Sequence, residues 1–375
     1  MTKTARLLAD LIALPSVNPA FLPARHRHAG EGRVAEFLAA VAAGAGLEVE
    51  FQQVAPHRPN LIARLSPTGR APQRVLLAPH LDTVNVASEA QFTPRRKHDR
   101  LYGRGACDTK GCVAAMLSAL CALARSKSRP KQTEIVFAGL IDEENSQLGS
   151  RALAASGLRA DLAIVGEPTR LQVITAHKGS LWLQLETYGK AAHGASPHLG
   201  RNAVHEMARV VDLLETDYAA QLRRRHRLLG AATVSVGTIC GGSQPNIVPD
   251  RCSISVDRRT LPGETETTVR REITALLREE KLQAKVTSLK SHACWPLETN
   301  PKLPLVRRFL RSVGQARPAG IHYFCDASIL SQGDIPSVVF GPGDIAQAHT
   351  ADEWISLRSL ERGKDFLVGF LKSLP

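Results

Sequence analysis

The run Val75-Leu76-Leu77-Ala78-Pro79-His80-Leu81-Asp82 decides how the chain is read. Four apolar residues in succession, with no polar alternation, describe a strand buried on both faces, and a histidine and an aspartate follow directly. The pattern repeats on either side. Leu61-Ile62-Ala63-Arg64-Leu65, Glu134-Ile135-Val136-Phe137-Ala138, Leu162-Ala163-Ile164-Val165 and Ser337-Val338-Val339-Phe340 are further strand candidates, and Gly32 to Ala43 and Lys110 to Ala124 are helix candidates. Apolar strands alternating with helices specify an α/β domain whose mostly parallel sheet is covered on both faces.

Between these segments the texture changes. Ser180-Leu181-Trp182-Leu183-Gln184-Leu185-Glu186-Thr187-Tyr188, Thr233 to Ile239 and Arg251 to Asp257 partly alternate, as half-exposed strands do. Ala203 to Glu215 and Thr268 to Glu280 carry apolar residues at helical spacing. The reading is an α/β domain at residues 1–177 and 289–375, interrupted by an inserted α+β domain at 178–288.

Composition fits this picture. The 375 residues are 43% hydrophobic and 22% charged, near globular averages, which argues against a disordered chain. No apolar run reaches 18 residues, so no membrane span is expected. Asp10 interrupts the apolar stretch Leu7 to Leu14, which reads as an amphipathic helix and not a signal peptide. Seven cysteines at irregular spacing, without a C-x-x-C pair, point to free thiols and a cytoplasmic location. With 48 Lys+Arg against 35 Asp+Glu the formal charge is +13, yet no nucleic-acid motif accompanies it. The cluster Arg223-Arg224-Arg225-His226-Arg227 is read as solvated surface, and no nucleic-acid partner is expected.

The chemistry-bearing residues sit where the apolar strands stop. His80 and Asp82 are two apart and share a face in extended backbone. Asp108 precedes the helix at Lys110, Glu143 and Glu144 follow the strand at Glu134, Glu167 closes the strand at Leu162, and His349 follows Gly341-Pro342-Gly343. In open α/β sheets ligands bind beyond the carboxyl ends of the strands, so these groups would converge. Taken singly each has a plain explanation: an N-cap, a turn carboxylate, a solvated histidine. Taken together, two imidazoles and several carboxylates suit divalent ions such as Zn²⁺. Two ions about 3.5–4 Å apart need a bridging carboxylate and terminal ligands. His80, Asp108, Glu144, Glu167 and His349 fill that list with Asp108 bridging. Glu143 is left as general base, and Asp82 as the group that orients His80.

The ordered segments Ala78 to Val84, Gly103 to Gly111, Asp142-Glu143-Glu144, Gly166-Glu167-Pro168-Thr169 and Ala348-His349 resemble the M20 metallopeptidase family. The resemblance implies a di-zinc, aminopeptidase-like catalytic domain and an inserted lid that forms a homodimer, with two Zn²⁺ per chain, replaceable by Co²⁺. It gives His80 and Glu167 to one ion and Glu144 and His349 to the other. Gly189 to Pro197 resembles the family segment whose histidine, here His193, reaches a partner's site to stabilise the oxyanion. Gly241 to Pro249 and Asp257 to Pro262 resemble segments that bind the substrate carboxylate, through Asn246 and Arg259, with Arg258 one position off that pattern. The Gly341-Pro342-Gly343 loop looks like the acetylornithine deacetylase branch. The implied activity is hydrolysis of a small N-acyl amino acid, with a succinyl-diaminopimelate desuccinylase or a dipeptidase or carboxypeptidase of the same family as the alternatives.

Overall fold

The computed structural model describes residues 1–67 and 69–375. Its central sheet is mixed. Strands Thr133–Gly139, Gln73–Pro79, Leu162–Gly166 and Ser337–Val339 lie side by side in that order, all parallel. These are four of the apolar runs read from the sequence. The expectation of a mostly parallel sheet holds for this centre and not for the flanks. On one side Arg58–Leu65 pairs antiparallel with Thr133–Gly139, and Glu48–Ala55 pairs antiparallel with Arg58–Leu65. On the other, Val339 faces Ile174 in an antiparallel step. The outermost strand, Glu48–Ala55, escapes a reading by apolar runs because it is a polar, largely solvent-facing edge.

Both faces of the parallel strands are buried, which is why their sequences show no alternation. Val75, Leu77, Ile135, Phe137, Leu162 and Ile164 point into a core shared with helices Lys3–Ala13, Gly32–Ala43, Lys110–Ala124, Pro304–Ser312 and Leu357–Lys372. Phe309 packs against Phe340 and Phe370 there, with ring centroids 5.0 and 4.8 Å apart. The alternate residues Leu76, Val136, Ala163 and Val165 are equally buried. Helix Lys110–Ala124 is apolar nearly all round, and its one charged residue, Lys110, is buried and donates to the carbonyls of Leu11 and Leu14 at 2.9 and 2.7 Å.

The chain divides into two compact units. One comprises Met1–Thr175, Thr299–Ala319 and Cys325–Pro375, and the other Ala176–Glu298 with Gly320–Phe324. The second unit holds a four-stranded antiparallel sheet in the order Thr233–Gly241, Arg251–Thr260, Gly179–Tyr188, Lys285–Ser288. Helices Ala203–Leu213 and Glu266–Glu279 supply Met207, Val210, Ile273 and Leu277 to its core, against Leu183, Leu185, Ile254 and Val256. The helix read as running from Ala203 to Glu215 passes at Leu214 into a wider turn spanning Leu214–Tyr218. Strand Arg251–Thr260 alternates strictly, burying Cys252, Ile254, Val256, Arg258 and Thr260. Among the described residues no helix is long and apolar enough to cross a membrane, and none of the seven cysteines is in a disulfide.

Candidate metal centre

Four parallel strands end next to one another, and each releases its chain into a turn bearing an imidazole or a carboxylate. His80 follows Gln73–Pro79, Glu143 and Glu144 follow Thr133–Gly139, Glu167 follows Leu162–Gly166, and His349 stands in the loop after Ser337–Val339. Asp108 enters from the turn before Lys110–Ala124. The result is two groups of three. His80, Asp108 and Glu167 form one and Asp108, Glu144 and His349 the other, with the ligand atoms of each group within 4.8 Å of one another. His80 Nε2 stands 3.1 Å from Asp108 Oδ1 and 3.8 Å from Glu167 Oε1. His349 Nε2 stands 3.3 Å from Asp108 Oδ2 and 3.2 Å from Glu144 Oε2. Asp108 therefore turns one oxygen toward each group.

Asp82 organises this arrangement without belonging to either group. His80 Nδ1 lies 3.0 Å from its carbonyl and 3.3 Å from its Oδ1, so an Nδ1–H donates there and Nε2 is left facing Asp108 and Glu167. Asp82 also accepts the backbone N–H groups of Glu143 and Glu144, both at 3.1 Å, and the Asn18 amide at 2.8 Å. Burial works against its charge, but the bonds from His80 and Asn18 hold its pKa below the ordinary aspartate value.

The other acids respond in the opposite direction. Burial, then the charge of Asp108, raises Glu144 to about 7 and lifts Glu167 well above a normal glutamate. Burial, then Glu167, does the same to Glu143. His349 is held up to about 10 by its hydrogen bonds to Asp108 and Glu144. A carboxylate crowd with so few cations favours binding a positive ion.

The turn that presents Glu143 and Glu144 is fixed by Asp142, to which the sequence reading gave no role, and by Asn18, Glu31 and Arg58, which it did not single out. Asp142 adopts φ 68°, a sparsely populated backbone region for a residue with a side chain. Its Oδ1 accepts from Asn18 at 3.0 Å and Arg58 at 2.9 Å, and its N–H donates to Glu31 at 3.1 Å. Arg58 closes the set with two 2.7 Å bonds to the fully buried Glu31. Asp326 is a second omission. It is buried, is pushed up to about 7 chiefly by burial, and takes a 2.5 Å bond from Ser150. Asn18, Glu31 and Arg58 are far apart in sequence from Asp142, so no local pattern announces them.

Three further sequence candidates lie in the second unit. His193 is exposed, and its Nδ1 accepts from Ala195 N–H at 3.1 Å. Its loop lies against that of Asn246: His193 pairs with Ile247, and Gly194 N–H donates to the Asn246 carbonyl at 2.7 Å. A Cβ at Gly194 would stand 2.9 Å from that carbonyl, which explains the glycine. Alternation along Arg251–Thr260 separates the two arginines. Arg258 is fully buried against Glu264 and Tyr218, whereas Arg259 is on the opposite face and bonds Asp257 at 2.8 Å. Only Arg259 is free of the core.

The model of peptidase family M20/M25/M40 matches residues 76–373. The chain belongs to this family. It is accordingly a hydrolase, and its α/β fold is that of M20 enzymes. Among curated relatives, the acetylornithine deacetylase of Edwardsiella ictaluri is 32% identical over 336 residues, covering 86% of each chain. That of Myxococcus xanthus is 32% identical over 318 residues, covering 81% of this chain and 80% of its own. Among solved structures, an M20 family metallo-carboxypeptidase from Sulfolobus solfataricus superposes with a TM-score of 0.79 at 20% identity, covering 99% of both chains. A dinuclear metal-binding M20 peptidase from Bacillus subtilis gives 0.69 at 13% identity, covering 99% of this chain and 97% of its own.

The network behind Asp142 has a measurable consequence. Arg58→Met keeps much of the side chain's bulk but leaves Glu31 and Asp142 without their cation. Removing one partner of a buried pair costs about 3–5 kcal/mol. Urea denaturation should show a loss of that order, and a loss under about 1 kcal/mol would mean the network does not hold the turn.

Proposed function

We propose that this M20 hydrolase removes the acyl group from a small N-acyl amino acid, using two divalent ions per chain held by His80, Asp108 and Glu167 and by Asp108, Glu144 and His349. The observation that carries the reading is Asp108 with one oxygen toward each group. The donor set fits the ions. Two imidazoles with carboxylates match Zn²⁺, which Co²⁺ can replace, and the raised proton affinities of Glu144 and Glu167 mark sites that a positive ion would relieve.

When bound, the ions would supply an acidified water and a polarised amide carbonyl. The chain's own groups do the rest. Asp82 keeps the Nδ1 proton of His80 in place and holds the backbone of Glu143 and Glu144. Glu143 takes the proton from the attacking water and returns it to the departing amine. Burial and Glu167 raise its affinity for that proton, as a group that must carry it between two steps requires. His193 donates a hydrogen bond to the developing oxyanion from a partner subunit, and Asn246 and Arg259 bind the substrate carboxylate.

N-acetyl-L-ornithine, giving L-ornithine and acetate, is the proposed substrate, supported by the names of the curated relatives and by the Gly341-Pro342-Gly343 loop. A homodimer through the second unit is supported by its edge strand, Thr233–Gly241, which is largely exposed, among the described residues pairs with a strand on one side only, and carries Ile239 at 58% exposure. Seven cysteines outside any disulfide support a cytoplasmic location.

Acetate release from N-acetylornithine should be faster than succinate release from N-succinyl-diaminopimelate or amino-acid release from dipeptides. It should stop on chelation and return with Zn²⁺ or Co²⁺. Full activity in a demonstrably metal-free sample would reject the two-ion reading, and preference for a dipeptide would reject the substrate.

Glu143→Gln keeps size and removes the base. Its metal content should match the wild type while kcat falls about 10²-fold or more. Near-normal kcat would reject the assignment.

His193→Ala should lower kcat more than it changes KM. Mixing it with Glu143→Gln subunits should regenerate activity, because a mixed dimer holds one site with Glu143 and a partner's intact His193. No regain after verified subunit exchange would remove the shared-site role.

A further inference from the structure

Glu353 ends the run that starts at His349. Its side chain is fully buried, yet it belongs to neither ligand group. Oε1 accepts the backbone N–H groups of Cys107 at 2.8 Å and Asp108 at 3.0 Å. Oε2 accepts the N–H of Gly105 at 3.0 Å and the Arg104 guanidinium at 2.6 Å. The Glu353 carbonyl accepts Gly103 N–H at 3.0 Å. One residue thus receives five donors from Gly103 to Asp108, the turn that delivers Asp108.

Two more contacts join the same segments. Trp354 pairs with Tyr102 across an antiparallel step, and Gln91 takes Arg104 N–H on its carbonyl while its amide donates to Thr350. His349, at φ 62°, is therefore in a segment anchored at both Thr350 and Glu353.

Only a carboxylate can accept all four side-chain bonds. A glutamine in the same place turns an NH₂ toward two other donors, whichever way it is flipped. An aspartate keeps the charge but falls one methylene short. Arg104 is one of the four donors, so an ion pair alone leaves three backbone N–H groups unexplained.

We propose that Glu353 is a positioning residue that fixes Asp108 between the two ion sites and ties it to His349. The inference rests on the two-ion reading above. Because Asp108 belongs to both groups, loosening it weakens both ions together, whereas loss of His349 weakens one.

The test is stepwise Zn²⁺ binding, measured by competition with a chromophoric chelator, on wild type, Glu353→Gln, Arg104→Gln and His349→Ala. Folding is checked by circular dichroism, and site geometry by the visible absorption of the Co²⁺ forms. Glu353→Gln should weaken both stepwise constants by about 10-fold or more, the scale expected when a group that supports a ligand is lost. It should also alter the Co²⁺ spectrum. His349→Ala should weaken one constant. Arg104→Gln, which retains the three backbone bonds, should stay near wild type in both. A folded Glu353→Gln with both constants within about two-fold of wild type overturns the proposal, as does an equal loss in Arg104→Gln. If Glu353→Gln does not fold, Glu353→Asp is titrated against the same criteria. A wild type that binds no divalent ion removes the two-ion reading and this inference with it. A wild type that binds two ions beside an unchanged Glu353→Gln removes this inference alone.

Discussion

Asp82, Asp108, Glu143, Glu144, Glu167 and Asp326 are brought within electrostatic reach of one another, away from bulk water. Two like charges 4 Å apart repel by about 4 kcal/mol at an effective dielectric of 20, so such a crowd opposes its own assembly. The acids meet this constraint in different ways. Asp82 keeps its charge by accepting two backbone N–H groups, an amide and an imidazole. Asp108 keeps its charge between two imidazoles, which hold its pKa below the usual range against the effect of burial. Glu144 shares His349 with Asp108, and in Glu143, Glu144 and Glu167 burial and the neighbouring carboxylates prevail, so their proton affinity rises. The repulsion that folding leaves in place is the same energy that ion binding would release.

Holding the acids against that repulsion explains the buried polar groups that surround them. Glu31, Arg58, Asp142 and Asn18 form one support, under the turn of Glu143 and Glu144. Glu353 and Arg104 form another, under Asp108. Buried ion pairs are poor sources of net stability, because desolvation offsets most of the attraction. Their directed, saturable bonds do fix a backbone, and both supports end on the N–H groups of the turns that carry ligands. The positive φ of Asp142 and His349 persists where such bonds over-determine the chain.

The second unit follows a simpler rule. One face of its sheet is covered by two helices, and strand alternation decides which side chain is structural. Arg258 is consumed inside by Glu264 and Tyr218, and Arg259 stays outside. The same alternation leaves Trp182 exposed at 45% next to buried Leu183. A family pattern that is ambiguous by one position thus becomes a choice between core and surface.

Much of the α/β unit was legible from residue order alone. A strand buried on both faces must be apolar throughout, so Val75–Ala78, Ile135–Ala138 and Leu162–Val165 declare themselves, and the polar residues that stop each run mark the carboxyl edge. His80, Glu143, Glu144, Glu167 and His349 could therefore be named as a set before any contact was known. Other features depend on partners distant in sequence. The polar edge strand Glu48–Ala55 forms because Arg58–Leu65 returns beside it. Asn18, Glu31 and Arg58 matter because folding lays them against Asp142, up to 124 positions away. Glu353 lies 245 positions beyond Asp108 and gives no local sign of the N–H groups it accepts. Local sequence determines which residues must be buried and where a strand must end, because those depend on hydrophobicity and backbone period. Which distant donor reaches which carboxylate was decided only by the tertiary structure, because hydrogen bonds form over about 3 Å and only the folded chain brings these groups that close.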